Sequence, residues 1–150
     1  MLSIDDFYLA HDDQAQLASE HPTNPLIQHR GQPSTHDLPL ALSVLSALQR
    51  GIEVRVPYYD KSAFSGQGDR ASPEYWRTLN GKAQKRVEVV LFEGWCVGFR
   101  ALKDEELVNI WQSAFQQRND KNYRGRLGHS KFYDIQYIND ALRSYDQITK

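Results

Sequence analysis

Val89-Val90-Leu91-Phe92-Glu93-Gly94-Trp95 is an apolar run that stops abruptly in a carboxylate and a glycine. A short run of β-branched and large apolar residues reads as a strand buried on both faces, the kind found in the parallel sheets of α/β proteins. The strand is expected over Val87–Glu93. Ligands of such sheets gather beyond the carboxyl ends of the strands. Packing explains an acidic residue at that point poorly. A carboxylate turned toward a magnesium ion and a phosphate explains it well. Gly94 then lets the backbone turn at once.

Outward from this strand, apolar periodicity alternates between strand and helix. Leu2 to Asp6 reads as a short strand, and Asp12 to Glu20 as a weakly amphipathic helix. His21 to Pro39 is a long loop that holds Pro22, Pro25, Pro33 and Pro39, four of the six prolines. Loops of that length inside a compact domain are usually functional. Leu38, Leu42, Leu45 and Leu48 recur at helical spacing, with Gly51 as a C-terminal cap. Glu53 to Val56 is a second strand stopped by Pro57, and Tyr58 to Pro73 is a polar loop. Leu107, Ile110, Trp111, Ala114 and Phe115 mark one amphipathic helix. Ile135, Ile138, Leu142 and Tyr145 mark another. Strands alternating with helices imply an α/β fold with a mostly parallel sheet and flanking helices.

Composition narrows the class. One domain is the natural reading of 150 residues that are 40% hydrophobic. The 18 basic and 19 acidic residues are interspersed and leave a net charge of −1. That balance argues against a nucleic-acid footprint and against a basic membrane surface. No apolar stretch approaches the ~20 residues of a membrane span. Met1-Leu2-Ser3-Ile4-Asp5-Asp6 is acidic and unlike a signal or transit peptide. A single cysteine, Cys96, excludes an internal disulfide framework and fits a reducing, cytoplasmic setting.

The phosphate loop that usually accompanies a strand-end carboxylate is not among these residues. It requires G-x-x-x-x-G-K-[ST] between a strand and a helix, so that backbone N–H groups cradle phosphate oxygens. The one Gly-Lys pair, Gly81-Lys82, is followed by Ala83, and Trp76 stands where the first glycine belongs.

Several residues can carry chemistry. Asp5 and Asp6 sit at a strand end, where a carboxylate can orient a hydroxyl and accept its proton; an Asp-Asp pair also commonly serves a turn. Arg30 can clamp an anion through two parallel hydrogen bonds. Asp37 or Thr35 can equally cap the helix that follows. Lys61 and Arg70 lie among aromatic and small residues after a strand end, as suits an anionic substrate or a solvated loop. His29 and His36 lack partners for a zinc site. Cys96 reads as inert packing more readily than as a nucleophile.

The combination is more specific than its parts. Asp5-Asp6-Phe7-Tyr8, then Val56-Pro57-Tyr58-Tyr59-Asp60-Lys61, then Val90-Leu91-Phe92-Glu93-Gly94 follow successive strands. In that order they resemble the uridine kinase, phosphoribulokinase and pantothenate kinase superfamily of P-loop proteins. Arg30-Gly31-Gln32-Pro33-Ser34-Thr35-His36-Asp37 and Glu93-Gly94-Trp95-Cys96-Val97-Gly98-Phe99 narrow the resemblance to the D-glycerate 3-kinase branch, as does Tyr137-Ile138-Asn139-Asp140-Ala141-Leu142. The resemblance implies an ATP-dependent, Mg2+-assisted phosphotransferase acting on a small hydroxylated acid such as glycerate. It implies Asp5 as the catalytic carboxylate with Asp6 its neighbour, and Glu93 near the magnesium. It implies Arg30, His36, Asp37, Tyr58, Tyr59, Lys61 and Arg70 as substrate-facing. Residues 1–150 would then be the central, substrate-binding part of one P-loop kinase domain, lacking the first strand, phosphate loop and first helix. On their own they are expected to be inactive, with a bare sheet edge that favours self-association. The alternative is a catalytically dead relative that binds a substrate or a partner.

Overall fold

The computed structural model describes residues 1–149. Its elements, in order, are β1 (Leu2–Ser3), α1 (His11–Glu20), α2 (Leu38–Gln49), β2 (Val54–Val56), β3 (Tyr59–Asp60), β4 (Asp69–Arg70), β5 (Arg77–Leu79), β6 (Phe92–Glu93), α3 (Asp104–Gln117), α4 (Phe132–Arg143) and α5 (Asp146–Thr149). β1 and β6 pair in parallel, Leu2 against Phe92 and Ser3 against Glu93, with helices flanking them. The α/β class read from the sequence is the class observed. The other two pairings, β2 with β5 and β3 with β4, are antiparallel ribbons beside the parallel pair.

Val87–Glu93 differs from its expected form. Only Phe92–Glu93 is strand, and the run is not buried on both faces. Val89 is 77% and Leu91 65% exposed, whereas Val87, Val90 and Phe92 pack against the core. The physical reason is cover on one face alone. Successive side chains of an extended segment point to opposite faces, and here Val90 and Phe92 turn toward the core with Leu48 and Ile148 while Val89 and Leu91 on the other face stay exposed.

The expected strand over Leu2–Asp6 is likewise shorter. After Ser3 the chain tightens into a 3-10 turn over Ile4–Phe7, whose first turn is capped by the Ser3 side chain accepting from the Asp5 N–H. Ile4 and Phe7 point into the core while Asp5 and Asp6 stay partly exposed.

α2 forms as the leucine spacing predicts. The Asp37 side chain accepts from the Leu40 N–H at 3.0 Å, and Pro39 stands in the first turn, where its missing N–H is harmless. Gly51, at φ +68°, ends the helix in the left-handed conformation that glycine adopts freely. Ala41, Val44 and Leu48 face the core that Ile4, Phe7, Cys96 and Tyr145 share. Tyr58 to Pro73, expected as plain loop, contains the β3–β4 ribbon. No helix among the described residues is long and apolar enough to cross a membrane.

Candidate active site at the carboxyl end of the parallel pair

β1 and β6 run in the same direction, so the residues that follow Ser3 and those beside Glu93 emerge at one end of the pair. Asp5 and Glu93 therefore share the edge where α/β proteins bind their ligands. Gly94 makes this closeness possible. A Cβ there would lie 2.2 Å from Ile4 Cγ2.

Asp5 is the centre of the cluster. Lys61 Nζ donates to its Oδ2 at 2.5 Å. Tyr8 lies one turn on, and its hydroxyl also favours the charged form of the carboxyl. Burial by itself would raise the Asp5 pKa. The bond from Lys61, the Tyr8 hydroxyl and the Lys61 charge outweigh it and hold the carboxyl below its ordinary value. Asp5 is thus a carboxylate at neutral pH, ready to accept a hydrogen bond from a hydroxyl. Asp6 is shifted the other way, pushed up chiefly by burial against a backbone hydrogen bond from Tyr59.

Tyr8 links this carboxylate to the first long loop. Its ring stacks on His36, centroids 4.4 Å apart, and meets Tyr59 edge-on at 5.3 Å. His36 is buried, and its Nδ1 lies 2.6 Å from the Tyr145 hydroxyl. Its Nε2 is sealed from solvent without a partner among the described residues. Burial pulls its pKa down to about 4, against the pull of Asp5, so the imidazole is neutral.

Arg70 and Asp37 brace the cluster. The Arg70 guanidinium lies 3.0 Å from Asp37 Oδ2 and donates to the Tyr8 carbonyl at 2.9 Å. Asp37 is therefore both the cap of α2, as one sequence reading had it, and the ion-pair partner of Arg70. Arg30 is already engaged. It donates to the carbonyls of Gly66 and Gln67 and lies over the Tyr59 ring at 5.6 Å. It holds the Lys61–Gly68 turn in place, and Lys61 with it.

The structure thus gathers Asp5, His36, Tyr59 and Lys61, with Asp37 and Arg70 as bracing. It sets Tyr58 apart: this ring is 54% exposed and lines a shallow cavity with Asp6, Val56 and Arg77. Glu93 makes no side-chain hydrogen bond or ion pair among the described residues. Cys96 is buried, and burial pushes its thiol pKa up, which suits packing and disfavours thiolate chemistry. Tyr8 and Tyr145 received no site role from the sequence. The first was legible, because residues three apart in a 3-10 turn stand above one another. The second lies 109 residues from His36, beyond the reach of local pattern.

No family model matches the chain. Individual proteins do. Over 102 residues, 67% of its length, it is 48% identical to the uncharacterized kinase mug58 of Schizosaccharomyces pombe, covering 36% of that protein. Over 105 residues it is 43% identical to the chloroplastic D-glycerate 3-kinase of Arabidopsis thaliana, covering 22% of it. The D-glycerate 3-kinase of Cryptococcus neoformans superposes on 98% of the chain with a TM-score of 0.83 at 36% identity, the chain covering 50% of that structure. The chain belongs to the D-glycerate 3-kinase family. It spans between about a fifth and a half of these relatives' lengths. The family match takes in the β1–β6 end, since the superposition covers nearly every residue.

Proposed function

We propose that this chain carries the acceptor side of an ATP-dependent kinase for D-glycerate or a close hydroxy acid. The observation that carries the reading is the Asp5 carboxylate held by Lys61 at the carboxyl end of a parallel strand pair. The names of the relatives supply the substrate class.

In this reading Lys61 turns its ammonium toward the substrate carboxylate, and Asp5 accepts a hydrogen bond from the acceptor hydroxyl. As the hydroxyl oxygen bonds to the γ-phosphorus and the bond to the ADP oxygen breaks, the hydroxyl proton passes to Asp5. A carboxylate with a lowered pKa is a weak base. That suits a loose transition state, in which the hydroxyl loses its proton late and positioning carries most of the catalysis.

The residues fit a magnesium ion of the type that phosphoryl transfer uses. Glu93 is an exposed, unpaired carboxylate at the strand end, and no group of three or more His, Cys, Asp or Glu side chains forms a closed cage among the described residues. Mg2+ is commonly held by one or two carboxylates, with waters and substrate phosphates completing the shell. When bound it would neutralise charge on the transferring phosphate. With no G-x-x-x-x-G-K-[ST] in its 150 residues, the chain alone is expected to bind the acceptor without turning over ATP. The plant relative's name puts that protein in the chloroplast; the cytoplasmic reading of this chain rests on its single, buried cysteine.

Calorimetric titration tests the reading. D-glycerate should bind, and Asp5→Asn and Lys61→Met should each weaken it. Unchanged binding in both variants would refute the assignment.

A further inference from the structure

We infer that Tyr145 is a positioning residue that locks His36 in the Nε2–H tautomer, making Nε2–H a fixed donor for an oxygen of the bound hydroxy acid. The inference rests on the acceptor-site reading above and adds a residue to it from the far end of the chain.

The hydrogen bonds settle the tautomer. The Tyr145 oxygen accepts from the Ser34 N–H at 3.1 Å and lies 2.6 Å from His36 Nδ1. Tyr145 is buried to 1% exposure, and burial drives its pKa up, so the phenol keeps its proton. Among the described residues that proton has one acceptor within hydrogen-bonding distance, Nδ1. Were Nδ1 protonated instead, two buried groups would lack partners, the phenol proton and the Nε2 lone pair, against the single Nε2–H of the other tautomer. Tyr145 therefore donates, Nδ1 accepts, and the ring proton is on Nε2.

Nε2–H is then itself a buried donor without an acceptor among the described residues. Such groups are rare and mark function or an absent partner. The ring is stacked on Tyr8, whose hydroxyl favours the charged Asp5 carboxyl, and it feels the Asp5 charge. A neutral N–H here suits an oxygen acceptor and gives nothing to an ammonium group. Lys61, 57% exposed on a flexible stem, is the member of the cluster able to rotate and admit the ligand.

Two measurements on the 150-residue chain test this. Long-range 15N–1H spectra of the histidine rings report the tautomer directly, and calorimetry reports D-glycerate affinity. The wild type should show His36 as Nε2–H, and D-glycerate should shift Nε2. Tyr145→Phe should give mixed tautomers and weaken D-glycerate about tenfold, the scale of one hydrogen bond. His36→Gln keeps an amide donor near the Nε2 position; in that background Tyr145→Phe should cause no further loss. An Nδ1–H wild type, a tautomer unchanged in Tyr145→Phe, or an equal loss in both backgrounds would overturn the inference. D-glycerate binding without any Nε2 shift would overturn it while leaving the acceptor-site reading intact. Failure of D-glycerate to bind at all would sink the acceptor-site reading and the donor role together.

Discussion

Gly94→Ala probes the joint between the two halves of the site. The new methyl would stand 2.2 Å from Ile4 Cγ2, 3.1 Å from Ile4 Cβ and 3.2 Å from Val97 Cγ2. Carbon atoms in good contact lie about 3.5–4.0 Å apart, so the first gap must open by more than 1 Å. Ile4 is fully buried, begins the turn that carries Asp5, and cannot retreat without moving it. Overpacking of this type costs about 1–3 kcal/mol. For a chain of this length that corresponds to a fall in melting temperature of roughly 2–12 °C. The culprit is the β-branch methyl of Ile4. Ile4→Leu removes it at constant volume, whereas Ile4→Val keeps it. Gly94→Ala combined with Ile4→Leu should therefore recover part of the loss, and the pair with Ile4→Val should not. Recovery is partial because φ +158° is also unfavourable for an alanine. Thermal melts of the wild type, the three single variants and the two doubles form two double-mutant cycles. Equal stabilities for Gly94→Ala and the wild type, or equal rescue by leucine and valine, would refute the close-approach account.

Other expectations follow from the same geometry. Arg70→Ala strips Asp37 and the Tyr8 carbonyl of a charged donor and should destabilise the chain by about 1.5–3 kcal/mol, seen in denaturant midpoints. His36 is held neutral, with a folded pKa of about 4 below its ordinary 6.5. Its contribution is thus full above the unfolded value and is lost as pH falls through the interval down to about 4. Melting temperatures should drop across that interval, and His36→Gln should flatten the drop; Asp5, shifted downward, acts below it. Val89 and Leu91 are exposed beside a groove lined by Leu45, Val90, Phe92 and Ile148. The chain should self-associate in concentration-dependent sedimentation, and Val89→Lys with Leu91→Lys should reduce it.

The sequence revealed more of the site than of the strands around it. The Asp37 cap and the leucines of α2 are local signals, and both formed as read. Asp5 and Lys61 were named separately, but nothing local could show that they meet 56 positions apart. The run over Val87–Glu93 misled because continuous apolarity reports how hydrophobic a segment is and not how many of its faces are covered. Here Val90 and Phe92 face the core, and Val89 and Leu91 remain outside. Arg30 was read as an anion clamp because guanidinium suits anions; the folded chain adds contacts that no local pattern shows, to the carbonyls of Gly66 and Gln67 and the Tyr59 ring. Tyr145 was read as helix packing. Its hydroxyl acts through Ser34 and His36, contacts that only the folded chain creates.

The central claim is that Asp5 and Lys61 together receive a small hydroxy acid. Titration of D-glycerate and of glycerol into the wild-type chain and Lys61→Met tests it directly, because glycerol keeps the hydroxyls and lacks the carboxylate. D-glycerate should bind more tightly than glycerol. Lys61→Met should weaken D-glycerate by about ten- to a hundredfold, the scale of a charged hydrogen bond, and leave glycerol nearly unchanged. Equal affinity for the two ligands, or D-glycerate binding indifferent to Lys61→Met, would contradict it.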